Sequence, residues 1–370
     1  MDLISYVLRD NNAELVFKSE SLVSKIPSLT VVMPVFNQEE IIAENLISVV
    51  KNASIPFDLI IIDDASSDGT LRIILSTLQS LIFQNNLKKL ICNIFVFSNR
   101  ISWFESRCDD FAFRLARTKY IFEIQADMKL HEFGIDNRLI DRMRSDPVLL
   151  ALSGRGVIPL ERLERSFYLY SKKRSLLNAF RILFQPHFIK LKKCLFKKNI
   201  LISMPTKVEK DETIIKILEE TYFIPGTGPL FNGTAGWLGH DTSKLPHIFN
   251  QEFQEMIHAN QSVIYKGEII MRGPLVVDRD KYLQLGGFDT RAFFLGFDEC
   301  DLWIRGAKEG YKVGFFPMYY SSPENLGSTR KKRKFTSLVG IGFNRFIRRN
   351  NLKKSALARH FLSKTSNIRG

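Results

Sequence analysis

The chain has 370 residues, of which 45% are hydrophobic and 25% charged. This composition is ordinary for a globular protein with a sizeable core, and no apolar run approaches the roughly 18–20 residues of a membrane span. The first residues lack a basic segment followed by an apolar core, so no secretory signal is visible. The cysteines are far apart, which argues against a zinc site or a disulfide framework and predicts reduced thiols in a cytosolic protein.

The net charge of +14 is concentrated in two segments. Residues 165–198 contain ten Lys and Arg side chains and no acidic residue, and residues 328–370 contain thirteen and none. The remaining chain is acidic, so we expect two local basic patches and do not expect nucleic acid as a partner. Both segments also contain apolar residues. Each can therefore bind an anionic membrane surface or be a solvated part of the chain with extended lysine side chains.

Strand and helix patterns alternate through the first part of the chain. Residues 1–28 predict a lead-in helix or strand, and a β-branched run that ends at Pro34 predicts the first buried strand. The patterns that follow predict helices over 38–51, 69–84 and 102–117 and strands over 57–62, 92–97, 120–124 and 148–153. This alternation predicts an α/β fold with a Rossmann-like, mostly parallel sheet flanked by helices.

Polar residues follow the predicted strands. They are Asn37, Asp63, Asp64, Asn99 and Asp127. Ligands of such sheets bind beyond the carboxyl ends of the strands, so this grouping favours a site. No glycine-rich phosphate loop follows the first strand. A bound diphosphate would then be neutralised by a divalent cation, Mg²⁺ or Mn²⁺, held by a carboxylate.

A second acidic group lies late in the chain, where Asp298, Glu299 and Asp301 follow Gly296 and precede a helical pattern. Neighbouring carboxylates raise each other's pKa, and a helix N-terminus stabilises anions. By itself this group is either an acidic helix cap or a site. It follows an ordered segment over 269–279 and the sequence Gly-Gly-Phe-Asp at 286–289, and a last strand is predicted over 310–316.

Residues 34–39, 63–70 and 125–127 resemble the nucleotide-sugar half of the family-2 glycosyltransferases, which are inverting enzymes of the GT-A fold. The resemblance implies nucleotide-sugar contacts by Pro34, Phe36, Glu39, Asp64, Arg107 and Asp127. It also implies a divalent cation, Mn²⁺ or Mg²⁺, on Asp127. The family's metal motif normally has two acids, whereas the first position here is Gln125. One carboxylate can suffice for Mg²⁺, and the alternative is a weakened or lost site.

Residues 269–317 are similar to the catalytic half of the same family. The similarity implies that Glu299 is the catalytic base and Asp298 its acidic neighbour. It further implies that Gly273, Gly287 and Asp289 face the acceptor. The plainer alternatives are a turn at Gly287 and a helix cap at Asp289. Family members often add a histidine ligand near residue 324, where this chain has Glu324.

The predicted organisation is a lead-in (1–28), a nucleotide-sugar half (29–154), a partly basic helical insertion (155–268), a catalytic half (269–327) and a basic tail (328–370). The predicted function is inverting hexosyl transfer from a nucleotide donor, a UDP-sugar, to a glycan or lipid-linked acceptor. The alternatives are a catalytically impaired, glycan-binding relative and a nucleotidyltransferase on a related sheet. The predicted location is the cytoplasm, including the inner membrane face as a peripheral protein.

Overall fold

The computed structural model describes residues 12–83, 90–154, 157–158, 265–267, 269–270, 272–293, 297–316, 318, 320–321 and 349. Nearly all of the predicted insertion, Glu324 and the predicted tail except Arg349 lie outside these residues.

The described strands are β1 (Ala13–Ser19), β2 (Leu29–Val35), β3 (Phe57–Asp63), β4 (Ile91–Asn99), β5 (Tyr120–Glu123), β6 (Lys129–Leu130), β7 (Leu149–Ser153), β8 (Val157–Ile158), β9 (Tyr265–Gly267), β10 (Ile269–Ile270), β11 (Leu275–Asp278), β12 (Lys312–Phe315) and β13 (Tyr320–Ser321). The described helices are α1 (Ile42–Asn52), α2 (Thr70–Phe83), α3 (Phe104–Leu115), α4 (Ile135–Ser145), α5 (Arg279–Gln284) and α6 (Asp298–Lys308).

Nine strands form the main sheet, in the order β1-β4-β3-β2-β5-β11-β7-β12-β9. The run β4-β3-β2-β5 is parallel, and so is the pair β7-β12. β1, β11 and β9 pair antiparallel with their neighbours. The α/β fold is therefore confirmed, and the sheet is parallel in its nucleotide half and mixed beyond β5. Two small antiparallel ladders, β8-β10 and β6-β13, lie outside it.

Helices cover both faces of the sheet, because side chains of its central strands alternate between two cores. In β2, Val31 and Met33 enter the core that also contains residues of α1, α2 and α4. Val32 enters the opposite core, which is built with residues of α3, α5 and α6. A strand buried on both faces reads as a continuous apolar run, which is how β2 reads in the sequence.

Most predicted elements have bounds within a few residues of the observed ones. The sequence predicts either a helix or a strand for the lead-in, and its described part is the edge strand β1, antiparallel to β4. Helix α4 was not predicted, although Ile135, Leu139, Ile140 and Met143 have helical spacing and are buried.

Candidate functional site

The loops after β2 and β3 are tied together at the carboxyl edge of the sheet. The Asn37 N–H donates to Ser66 Oγ at 2.9 Å, and the Ser67 N–H donates to Asn37 Oδ1 at 2.8 Å. The Glu39 carboxylate accepts from the Gly69 N–H at 2.7 Å, at the N-terminus of α2, where a negative charge is stabilised. Glu39 therefore connects the loop after β2 to the N-terminus of α2. Its contact with a nucleotide stays a prediction.

Asp64 has its carboxylate surrounded by four donors. They are the N–H groups of Trp103 and Phe104, at 2.5 and 2.9 Å, the Ser102 hydroxyl at 2.5 Å and the Asn99 amide at 3.0 Å. These bonds fix the turn into α3. Its predicted role as a nucleotide contact stays a prediction, since both oxygens already serve the protein.

The neighbouring Asp63 has a different environment. It is 1% exposed, and one of its oxygens accepts from the Ser98 hydroxyl at 3.1 Å. Burial raises the pKa of the Asp63 carboxyl, and the hydroxyls of Ser66 and Ser98 oppose this only in part. The charged form of this side chain is therefore disfavoured in the folded protein.

Three other predicted nucleotide contacts lie near this edge. Pro34 and Phe36 are half-buried, at the end of β2 and in the loop after it. Arg107 is exposed on α3, with its guanidinium 4.4 Å from the centre of the Trp103 ring. The backbone N–H of Trp103 donates to Asp64, so Arg107 is connected to the edge through this residue.

Asp127 lies in the loop after β5 and is 9% exposed. The Asn45 amide donates to the Ala126 carbonyl at 2.6 Å, and the Met128 N–H donates to the Gln125 carbonyl at 2.9 Å, so the loop is held from both sides. Within the described part of the chain, no side chain or N–H forms a hydrogen bond or ion pair with the Asp127 carboxylate. A buried carboxylate in this situation suits a hard cation.

Another set of carboxylates has a spacing that could hold a metal ion. One oxygen each from Glu105 and Asp109 of α3 and Glu123 of β5 lie within 4.8 Å of one another. Asp127 is not part of this set. The Arg272 guanidinium lies 2.9 Å from Asp109 and 3.8 Å from Glu105. A fixed positive charge therefore already faces these carboxylates.

The acidic group at 298–301 begins α6. Asp298 is 1% exposed and forms an ion pair with Arg272. Glu299 is half-buried, and its pKa is raised well above the usual range by burial and by the charge of Asp298, while Arg272 opposes the shift. Asp301 accepts from Arg305 Nε at 2.8 Å, one turn further along the helix. The raised pKa makes Glu299 a candidate proton acceptor.

Gly273 joins the two halves of the predicted site. Its φ is +58°, and an alanine Cβ at this position would lie 2.9 Å from Gln125 Cγ. Gln125 in turn donates its amide to Glu105. Contacts thus run from the Asp127 loop through Gly273 and Arg272 to Asp298 and Glu299. Segments that are 150 residues or so apart in sequence meet here.

The two remaining predicted acceptor residues have clear structural roles. Gly287 has φ +77°, and an alanine Cβ there would lie 2.5 Å from Asp110 Oδ1. Asp289 Oδ1 accepts from the Ala292 N–H at 3.0 Å, and its other oxygen pairs with Arg349 of the tail. Burial would raise the pKa of Asp289, but these hydrogen bonds leave it below its usual value. A turn and a cap are therefore present, and contact with an acceptor stays a prediction.

Arg272 is the residue that sequence reasoning missed. Two of its ion-pair partners, Asp109 and Asp298, lie on different helices and far from it in sequence. The Glu105/Asp109 spacing of four residues puts both acids on one face of a helix, which was an available signal.

The protein has an α/β sheet with buried acidic residues at the carboxyl ends of its strands. The family model described as "Glycosyl transferase family 2" matches residues 30–203. The predicted resemblance to this family is thereby confirmed over these residues. Since the GT-A prediction came from this resemblance, the match supports that fold type as well.

Several solved structures are similar to the chain at low identity. The mannosyltransferase PcManGT from Pyrobaculum calidifontis, in complex with GDP-Man and Mn²⁺, is 12% identical over 99% of this chain and 87% of that one, with a TM-score of 0.41. S. aureus TarS is 19% identical over 32% of this chain and 20% of that one, with a TM-score of 0.27. TarS 1–349 in complex with UDP-GlcNAc is 20% identical over 34% and 33%, with a TM-score of 0.27.

The chain spans a third or less of these TarS chains. No curated protein matches it. None of the helices in the described residues is long and apolar enough to cross a bilayer.

Proposed function

We propose that the chain is an inverting glycosyltransferase that moves a sugar from a nucleotide donor, a UDP-sugar, to a hydroxyl of a glycan or lipid-linked acceptor. The observation that carries this proposal is Glu299, half-buried at the start of α6 with a raised pKa. It is linked by contacts to the Asp127 loop of the family-2 region. A raised carboxyl pKa is what a general base for a weakly acidic hydroxyl requires.

The donor would bind at the carboxyl edge of β2, β3 and β5. Hydrogen bonds between the 36–39 and 63–70 loops hold this edge in one conformation without a ligand. Donor binding therefore costs less conformational entropy. Pro34 and Phe36 would offer apolar surface to a nucleobase. Arg107 would offer a positive charge to the diphosphate.

A divalent cation fits this half of the site through the Asp127 carboxylate. Asp127 is 9% exposed, and no described residue neutralises its charge. When bound, Mn²⁺ or Mg²⁺ would stabilise the charge that develops on the leaving diphosphate. We assign this ion to Asp127 rather than to the Glu105, Asp109 and Glu123 set, because Arg272 already lies at 2.9 Å from Asp109.

Glu299 would take the proton of the acceptor hydroxyl as the oxygen attacks the anomeric carbon. The new glycosidic bond forms on the face opposite the departing nucleotide, so a single displacement inverts the configuration. Asp298 is held by Arg272 and would keep Glu299 basic through its nearby charge. Since the base must be ionised, turnover should rise with pH through the raised pKa of Glu299, above the ordinary Glu value of about 4.3.

The test is transfer or donor hydrolysis by the full chain across nucleotide sugars, with Glu299→Gln against Glu309→Gln. Glu309 is exposed at the other end of α6, so its variant controls for loss of charge on the same helix. Glu299→Gln should lower kcat by about 10²–10⁴ with donor binding retained, and Glu309→Gln should leave it unchanged. Equal rates would remove Glu299 as the base.

Metal dependence is tested separately. EDTA should abolish turnover, added Mn²⁺ should restore it, and Asp127→Asn should weaken Mn²⁺-dependent donor binding in a thermal-shift titration. EDTA-insensitive turnover would refute the role of Asp127. Donor binding without any turnover in wild type would instead favour a glycan-binding relative that has lost catalysis.

A further inference from the structure

Arg272 is one of the most enclosed charges of the described protein. It is 6% exposed, and its guanidinium lies 4.6 Å from the centre of the Phe288 ring. One terminal nitrogen donates to Asp109 Oδ2 of α3 at 2.9 Å, and the other donates to Asp298 Oδ2 of α6. A planar fork that binds two carboxylates fixes both helices at defined positions, which a lysine cannot do.

We propose that Arg272 is a positioning residue for the transfer reaction. In this role it holds the first turn of α6 against α3, and its positive charge favours the ionised form of the Glu299 side chain. The inference rests on the proposed function, because it concerns the same base. It goes further by naming a residue, remote in sequence from both acids, that controls how that base behaves.

The charge balance around Glu299 supports this role. On its own helix, Asp298 and Asp301 add negative charge next to it. From α3, Asp109 and Glu105 lie 2.9 and 3.8 Å from the Arg272 guanidinium, and an oxygen of Glu123 from β5 lies within 4.8 Å of these two acids.

The positive charge that the described residues place against Asp301 comes from Arg305 and Arg349, at 2.8 and 3.4 Å. Among the described strands packed against α6, β10 is Ile269–Ile270 and β12 carries Lys312 at its start. Arg272 is the cation that lowers the pKa of both Glu299 and Asp109, against burial and the neighbouring acids that raise them.

Loss of the Arg272 charge should therefore raise the pKa of Glu299 further. Because the ionised base is the active form, the acidic limb of the kcat/KM profile should move to higher pH in Arg272→Gln. We expect a shift of about one pH unit, the lower end of the effect of a charge within ~4–6 Å. Arg272→Lys keeps the charge without the fork, so its limb should stay near that of wild type while kcat falls.

Arg305→Gln is the matched control. Arg305 also pairs with an acid of α6, Asp301, and donates to the Gly287 carbonyl at 2.7 Å. Its loss should destabilise the same helix without moving the pH limb. If Arg272→Gln fails to fold, Arg272→Gln/Asp109→Asn removes the buried pair together and leaves Asp298 beside Glu299. The shift is expected in that variant too.

A second measurement does not depend on turnover. In protein labelled with ¹³C at the glutamate carboxyl, the Glu299 signal is the one missing from Glu299→Gln, and its titration gives the pKa directly. An upward shift in Arg272→Gln or in the double variant supports the proposal. An unchanged or lowered value in folded protein overturns it. Wild type that transfers no sugar would refute the proposed function, while this titration would still decide the part played by Arg272.

Discussion

Asp63 and Asp64 are adjacent acids that should lose very different amounts of stability on the same substitution. In Asp64→Asn, one carboxylate oxygen becomes an NH₂ group, which cannot accept. Either orientation leaves one backbone N–H, from Trp103 or Phe104, and one side-chain donor without an acceptor. Hydrogen bonds to a charged group contribute about 1.5–3 kcal/mol each, and the Ser102 hydroxyl can turn away. The expected loss of unfolding free energy is about 2–4 kcal/mol.

Asp63→Asn should cost under about 1 kcal/mol at pH 7, because it replaces a carboxylate that burial already disfavours. The folded pKa of Asp63 is raised, so its favourable contribution is complete below the unfolded pKa of about 3.9 and is lost as pH rises through the folded pKa. Relative to wild type, Asp63→Asn should therefore gain stability as pH increases over that interval.

The assay for both variants is urea unfolding followed by tryptophan fluorescence, since the buried Trp103 lies at the Asp64 anchor. Midpoints should be compared at equal m-values, at pH 4 and pH 7. A larger loss for Asp63→Asn than for Asp64→Asn at pH 7 would contradict this account of the two environments.

Two further substitutions test individual contacts within the fold. Gly287→Ala should lower the free energy of unfolding by about 1–3 kcal/mol more than Gly286→Ala. Both glycines have positive φ, but only at 287 would a Cβ meet Asp110 and Arg114, at 2.5 and 2.6 Å. Similar thermal midpoints for the two variants would argue against that contact. Asp136→Ala should lower the free energy of unfolding by about 2–4 kcal/mol in urea titrations, because the N–H groups of Ser54 and Ile55 lose their acceptor. A loss below about 0.5 kcal/mol would show that water replaces the carboxylate as acceptor.

The nucleotide half was largely readable from the sequence, because parallel buried strands and amphipathic helices have distinct periods. β2 and β3 are apolar runs followed at once by polar loops, so the strand ends and the site edge were found together. The acids at 298–301 were also visible, since they cluster in four positions before a helix.

What the sequence could not supply was the partner of each charge. Asp64 was readable as an acid at a strand end, but not as an acceptor of two N–H groups from residues 103 and 104. Arg272 gave no local signal, because its ion-pair partners are distant in sequence: Glu105 and Asp109 precede it and Asp298 follows it. Strand β11 lies antiparallel between β5 and β7. This placement is decided by tertiary packing, and the periodicity of the sequence does not predict it.

The ladder between β8 and β10 has a consequence for how the chain is built. Ile158 pairs with Ile269 and Val157 with Ile270, and β8 also contacts β9. The segment that leaves after residue 158 therefore returns at residue 265 to almost the same place. Because residues 158 and 265 are close in space, a segment of any length can connect them without changing the sheet. Such a segment can be exchanged for another, or for a short turn, without moving any described strand.

In evolutionary terms, the segment between residues 158 and 265 can change in length while the sheet is inherited intact. A chain with residues 159–264 replaced by a short glycine-rich turn tests this independence, since it should keep the cooperative urea transition of the sheet.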